Sequence, residues 1–237
     1  MAVTYELVKS VAAELYSSCL KKIPEDTKDA LRGALDAETN DGAKKILALM
    51  LRSAQVAEDT KRLVCSDAGI PVYFVKIGTA ARLEGNIKQA ISDGFDHLVA
   101  TIDPPILKHV TNPLTRERGY KGKDMPIVSY DLIDGADYIE ITCSPKALGS
   151  GRWAALEIFS FPTLDVIEKY VMDCVLKAVN QTGFGPMGTG GDTTALAVHI
   201  EYASGHGFTP VAVCFNCWIN RRASARIYDS GEIVRFE

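Results

Sequence analysis

Apolar positions fall into three successive helical patterns before any strand pattern begins. Leu7, Val8, Val11, Leu15 and Cys19 recur at three- and four-residue spacing through residues 4–21, which predicts an amphipathic helix. Pro24 stands where a first helical turn accepts proline, and Glu25 and Asp26 complement the positive end of the helix dipole. Leu31 and Leu35 carry that second helix until Asn40-Asp41-Gly42 breaks it. A third runs from about Ala43 to Lys61, with Ile46, Leu47, Met50, Leu51 and Ala54 on one face.

Beyond Cys65 the period changes. Pro71 to Ile77 is a β-rich run, and residues 84–99 predict a helix through Ile87, Ile91 and Leu98. Residues 101–126 are loop-like and basic, with Lys108, Arg116, Arg118, Lys121 and Lys123 among prolines and glycines: a solvated surface loop or a carboxylate-binding lid. Val128 to Thr142 predicts a hairpin turning at Asp134-Gly135. Trp153–Phe159, Thr193–Tyr202 and Pro210–Ile219 read as strands, Asp165–Val179 as a helix, and Asp229-Ser-Gly231 turns a final hairpin. The pattern predicts an α+β fold in one domain, residues 1–237. Its helical subdomain is residues 1–62, and a mixed, mostly antiparallel sheet with packing helices occupies residues 63–237.

Composition narrows the function without choosing it. The chain has 237 residues, 47% hydrophobic and 24% charged, the balance of a globular protein with a real core. A net charge of −4 gives no general attraction to nucleic acid or to an anionic membrane. No apolar run nears the ~20 residues of a membrane span, and Glu6 interrupts any leader-like start, so a cytoplasmic protein is expected. In that reducing setting the six cysteines are not expected to form disulfides. Cys19 and Cys174 fall inside helical patterns and read as core. Cys65, Cys143, Cys214 and Cys217 close apolar runs beside turn residues, where a scaffold can present metal ligands.

The stretch from Gly183 to Arg222 concentrates the candidate chemistry. Gly183, Gly185, Gly188, Gly190 and Gly191 allow tight turns and close backbone approach. No lysine follows them, which excludes a nucleotide phosphate loop, and no strand–GxGxxG–helix–acid series is present. The Cys214-x-x-Cys217 pair lacks the second pair of a zinc site and a thioredoxin-like context.

Several segments together resemble the α subunit, or N-terminal domain, of class I fumarases and L-tartrate dehydratases, which are iron–sulfur hydro-lyases. Cys65-Ser-Asp-Ala-Gly-Ile, followed by Val75-Lys-Ile-Gly78, is similar to the family's CQDTG loop and next strand. Asn112-Pro-Leu-Thr-Arg116 through Met125-Pro-Ile resembles the segment leading to its middle sheet, and Lys146-Ala-Leu-Gly-Ser150 stands in the place of its KGGGSEN loop. Gly183 to Glu201 is close to its GIGPxGLGGxTTxLAVHIE, and Pro210–Val213, Cys217 and Arg221 match the strand bearing its last cluster cysteine. The resemblance spans roughly residues 5–225.

In that family three cysteines hold a four-iron four-sulfur cluster with one iron open to the substrate's carboxylate and hydroxyl. The resemblance therefore implies Cys65 and Cys217 as cluster ligands and Asp67, His206 and Lys146 as catalytic groups. It implies Ser66, Arg116, Gly190, Gly191 and Arg221 around a small-molecule substrate. A separate β-type subunit, in a dimer or heterotetramer, is the implied partner. His206 is one residue short in its spacing to Pro210. The family's second ligand segment, CPP followed by GIGG, is missing, so either Cys143 or Cys214 would have to be the third thiolate. Strict strand alternation favours Cys143 unless a bulge intervenes. Ser66 replaces a family glutamine and Asp103 an arginine, which points to a ligand other than fumarate or tartrate. The alternative expectation is a homologue that has lost the cluster and binds a single metal or none, as a scaffold or small-molecule-binding subunit.

Overall fold

A computed structural model describes residues 2–65, 69–108, 110–112, 114–146, 154–182, 193–200, 208–217 and 221–236; within 178–182, 193–200 and 208–217 only the backbone course is described. The fold is α+β, and the chain divides into two compact units, Met1–Lys146 with Asn220–Glu237, and Ala147–Ile219.

The first unit is built on the predicted opening helix. Strand β1, Val3–Thr4, leads into α1, Tyr5–Lys21, where the Thr4 hydroxyl oxygen accepts from the Leu7 amide as an N-cap. The apolar stripe of α1 buries Val8, Val11, Ala12, Leu15, Tyr16, Cys19 and Leu20. Helices α2, Glu25–Ala37, and α3, Asp41–Thr60, pack on each other through Leu31, Met50, Ala54 and Ala57. Asn40 caps α3 by accepting from the Gly42 and Ala43 amides. The buried Lys28 ammonium at this junction is neutralised by Glu25 and Glu58 at 2.8 Å each.

Five strands form the sheet that α1 covers. They are β2, Val72–Gly78; β6, Ile127–Ile133; β7, Tyr138–Cys143; β11, Ala223–Tyr228; and β12, Ile233–Phe236, in the order β12-β11-β7-β2-β6. Only β2 and β6 are parallel. Between β2 and β6 the chain forms β3, Leu83–Glu84, helix α4, Ile87–Thr101, and a small hairpin of β4, Val110–Thr111, and β5, Arg118–Gly119. Helix α4 lies beside α1, and a Cβ built on Gly94 would sit 2.4 Å from the Lys9 carbonyl oxygen, so glycine is what permits the close crossing. Tyr16, Tyr73, Val75, Ile91, Phe95, Ile139, Ile141, Ala225 and Ile227 close the core at 3% exposure or less. The tyrosine hydroxyls within it are satisfied: Tyr16 donates to the Gly69 carbonyl at 3.0 Å and Tyr73 to that of Ala12 at 3.1 Å.

The predicted 128–142 hairpin is corrected. Both strands exist and the chain turns at Gly135, but β6 and β7 do not pair, because β2 lies between them and bonds to both. The connection crosses the end of β2, where the Thr79 amide donates to the Ile133 carbonyl and the Ala80 amide to that of Ala136. Gly78 sits under this crossing, and a Cβ there would meet the Ala136 carbonyl oxygen at 2.2 Å.

The second unit contains strands β8, Ala155–Ser160; β9, Thr193–Ile200; and β10, Phe208–Cys217, in an antiparallel sheet of order β8-β10-β9. Helix α5, Leu164–Thr182, packs against it, with the Phe159 and Tyr170 rings edge to face at 5.4 Å.

Two glycines make opposite predictions. Gly78→Ala forces a methyl into backbone and is expected to cost about 1–3 kcal/mol, as overpacking does. Gly33→Ala, in the interior of α2 with nothing within 4 Å of the added carbon, is expected to stabilise by about 0.5–1 kcal/mol. Urea unfolding of both variants checks the pair, and equal effects would contradict the crossing described above.

Candidate functional site

Cys143, Lys146 and Arg221 are gathered at one end of the five-stranded sheet, and the loop carrying Cys65 is pinned to the same end. Helix α1 does the pinning: the Val64 amide donates to the Leu20 carbonyl at 2.9 Å, and the Tyr16 hydroxyl holds the Gly69 carbonyl on the far side of the loop. Gly69 adopts φ +74°, a left-handed turn that glycine tolerates, and Ile70 then exchanges two backbone bonds with Lys146 at 2.9 and 3.1 Å. Ser144 ties the two adjoining strands, its amide donating to the Val72 carbonyl and its hydroxyl to the Arg221 carbonyl. Cys65 is half-buried there, and so is the Lys146 side chain.

Cys143, expected as the third ligand, is enclosed in the core. It follows Ile139 and Ile141 on the inward face of β7, stands opposite Tyr73 and Ala223, and is completely buried. The Cys19 thiol donates to its carbonyl at 3.4 Å. Burial pushes the Cys143 thiol well above its ordinary range, and Cys19 adds to this; the Tyr73 hydroxyl and the Arg221 charge pull the other way without offsetting it. A cluster ligand is a thiolate with open space on one side, and burial between packed side chains disfavours ionisation of this thiol in the metal-free chain. Cys19 is core, as expected. Arg221 is 2% exposed, so its guanidinium belongs to the interior beside Cys143 rather than to an open pocket.

Arg116 occupies a different loop, between β4 and β5, and is exposed. Asn112 shapes the turn, its side chain accepting from the Leu114 and Thr115 amides at 2.9 and 3.1 Å. The turn holds Arg116 at φ +65°, a left-handed conformation that costs a non-glycine residue strain. The same loop borders an open cavity of about 430 Å³ lined by Arg118, Lys121, Lys123 and Glu117. Lys121 is anchored to α4 through Asp96 at 2.8 Å and Ser92 at 3.0 Å.

Cys217 ends β10 in the second unit, where the pairing with β9 shifts register between Asn216 and Cys217; Cys214 stands opposite Ala197 on the same strand. Ser66, Asp67, Gly190, Gly191 and His206 lie outside the described residues. Among the described residues no group of three metal-binding side chains is assembled, and no helix is long and apolar enough to cross a membrane. What spacing alone missed is the burial of Cys143 against Cys19 and Tyr73; the signal was its place in the Ile139, Ile141, Cys143 alternation.

Comparison with known proteins agrees with the motif reading. A family model described as fumarate hydratase (fumerase) matches residues 9–178 and 173–226. The putative L(+)-tartrate dehydratase subunit alpha of Methanocaldococcus jannaschii is 28% identical over 280 aligned positions, covering 93% of this chain and 97% of that protein. The L(+)-tartrate dehydratase subunit alpha of Escherichia coli strain K12 is 23% identical over 274 positions, covering 92% and 90%, and that of Shigella sonnei gives the same figures. An alignment of 280 positions over 93% of a 237-residue chain means that the relative carries residues this chain lacks. The family match breaks near residues 173–178, late in α5 and just ahead of the glycine loop.

Thiol reactivity checks the burial. Iodoacetamide is expected to modify Cys65 in the folded protein and to leave Cys19 and Cys143 untouched until denaturant is added. Cys143→Ser is expected to cost about 1–3 kcal/mol, the penalty for a poorly paired hydroxyl in an apolar site. Rapid native alkylation of Cys143 would restore it as a ligand candidate.

Proposed function

Because the chain belongs to the fumarate hydratase family, whose members are hydro-lyases, we propose that it is the α-type subunit of a hydro-lyase adding water to, or removing it from, a small hydroxy acid. The observation that carries this reading is a family match from residue 9 to residue 226, with tartrate dehydratase α subunits aligned nearly end to end. The name of those relatives supports a separate β-type partner that completes the working enzyme.

Dehydration of a hydroxy acid needs cations for the carboxylate, a group that takes the carbon-bound proton, and an electrophile for the departing hydroxide. We assign the carboxylate to Arg116 and a catalytic role to Lys146, which the Ile70 bridge orients. Asp67 exchanges a proton with the substrate hydroxyl, and His206 serves the other proton transfer. Ser66 and the Gly190-Gly191 backbone line the substrate. Arg221, being buried, is a positioning residue that sets the start of β11. Cys65, half-buried in its pinned loop, and Cys217 are the thiolate ligands of the metal centre.

The resemblance implies a four-iron four-sulfur cluster on three cysteines, which would supply Lewis-acid help to the leaving hydroxide. The donor set is one thiolate short when Cys143 is enclosed in the core. Cys214 is the remaining candidate, since the register shift beside Cys217 relaxes the strict alternation that argued against it. The enclosed Cys143 and the break in the family match favour a second reading, a homologue that binds a single metal or none.

Anaerobic purification with the β-type partner, followed by iron and sulfide analysis, separates the two. Cys65→Ser and Cys217→Ser are each expected to abolish bound iron and the associated visible absorption. An iron-free native complex would sink the cluster assignment. A complex that hydrates no unsaturated acid and dehydrates no hydroxy acid would sink the hydro-lyase assignment itself.

A further inference from the structure

Between α1 and the paired strands β11 and β12 lies a cavity of about 250 Å³ that no step of the proposed reaction uses. It falls just short of the range for drug-sized ligands, so a compact small molecule is what it can hold. Leu15, Ala223 and Phe236 give it an apolar wall. Three cations border it from three separate places: Lys22 at the end of α1, Arg222 just ahead of β11, and Arg235 on β12. Against them, among the described residues, the lining sets one carboxylate, that of Glu14.

The ion pairs at the rim leave a positive excess. Arg235 bonds both oxygens of Glu14, through Nε and Nη2, so this acid is neutralised and the guanidinium is fixed beside the cavity. Arg222 gives Nη2 to Asp26, a carboxylate outside the lining and more than half exposed. That hydrogen bond holds the Asp26 carboxyl below its usual range against a partial desolvation, so the local field favours negative charge. A guanidinium carries five donors in a planar fork, and an exposed ion pair is weak, so Arg222 can turn to a more highly charged ligand. A carboxylate brings one charge. A phosphate monoester brings about 1.5–2 at neutral pH, on three acceptor oxygens, and arginine forks suit it.

We infer that this cavity is a binding site for a small phosphate monoester, with Lys22, Arg222 and Arg235 on the phosphate and Leu15, Ala223 and Phe236 against its apolar body. The inference is independent of the reaction proposed above, because no residue assigned there to substrate or metal borders the cavity. Ligand and substrate therefore do not compete for the same groups.

Calorimetric titration of the full chain at fixed ionic strength tests it, with phenyl phosphate, benzoate and inorganic phosphate as probes and circular dichroism confirming that each variant is folded. Phenyl phosphate is expected to bind best: benzoate keeps the apolar body but loses charge, and inorganic phosphate keeps the charge but loses the body. Arg222→Gln and Arg235→Gln should each weaken phenyl phosphate by about tenfold or more. Asp26→Asn should tighten it by about threefold, since it removes the carboxylate that competes for Arg222. Arg116→Gln, in the substrate loop, should leave it unchanged. No binding of phenyl phosphate would overturn the inference, as would binding indifferent to Arg222→Gln and Arg235→Gln. Loss of binding in Arg116→Gln would overturn it too, by placing the phosphate in the substrate loop. Equal affinity for benzoate or for inorganic phosphate would overturn the assignment to a phosphate monoester.

Discussion

The burial of α1 against the five-stranded sheet is the contact on which the rest of the first unit depends. Seven of its side chains are taken from water, each large one contributing about 1.5–3 kcal/mol before entropy is set against it. The fit is tight on both sides, because Gly94 lets α4 approach and Tyr16 fills the space between Tyr73 and Phe95. The same helix also sets the candidate site: Leu20 and Tyr16 fix the two ends of the Cys65 loop, and Cys19 supports the end of β7. A loop held by a packed helix at two points can present a ligand with little ordering cost on binding.

The elements were legible in the sequence wherever one periodic signal decided them. The α1 stripe and the Asp229–Gly231 turn each combine a local propensity with a consistent pattern, and each stands where it was expected; Asn40, expected only as part of a break, also caps α3. Pairing was less legible. Asp134-Gly135 announces that the chain reverses, but a turn does not specify whether the two strands touch or whether an earlier strand enters between them. The deciding residue was Gly78, whose missing side chain makes room for the crossing, and its role depends on a partner 58 positions away in sequence.

The site shows the same limit at the level of single residues. A cysteine at the end of an apolar run beside Ser-Pro-Lys reads as a ligand by its neighbours and as core by its phase. Phase proved the stronger guide for Cys143, because period-two alternation reports which face of the sheet a residue occupies, whereas proximity to a turn reports only where the strand ends. Cys65 had no such phase, being on a loop, where it is half-buried.

The electrostatics of the chain bear on the substrate. Glu140 lies between Arg226 at 2.9 Å and Lys76 at 3.2 Å on the open face of the sheet, and these cations outweigh burial and hold its carboxyl below the usual range. Those charges are satisfied within the sheet, and so are Lys121 on Asp96 and Arg222 on Asp26. Arg116 is different, an exposed guanidinium held in a left-handed turn by Asn112. Asp103, standing where the resemblance calls for a further arginine, is exposed, and its carbonyl is fastened to the Lys21 ammonium at 2.9 Å. Replacing a cation by an anion changes the local charge by two, which disfavours a second carboxylate on the ligand.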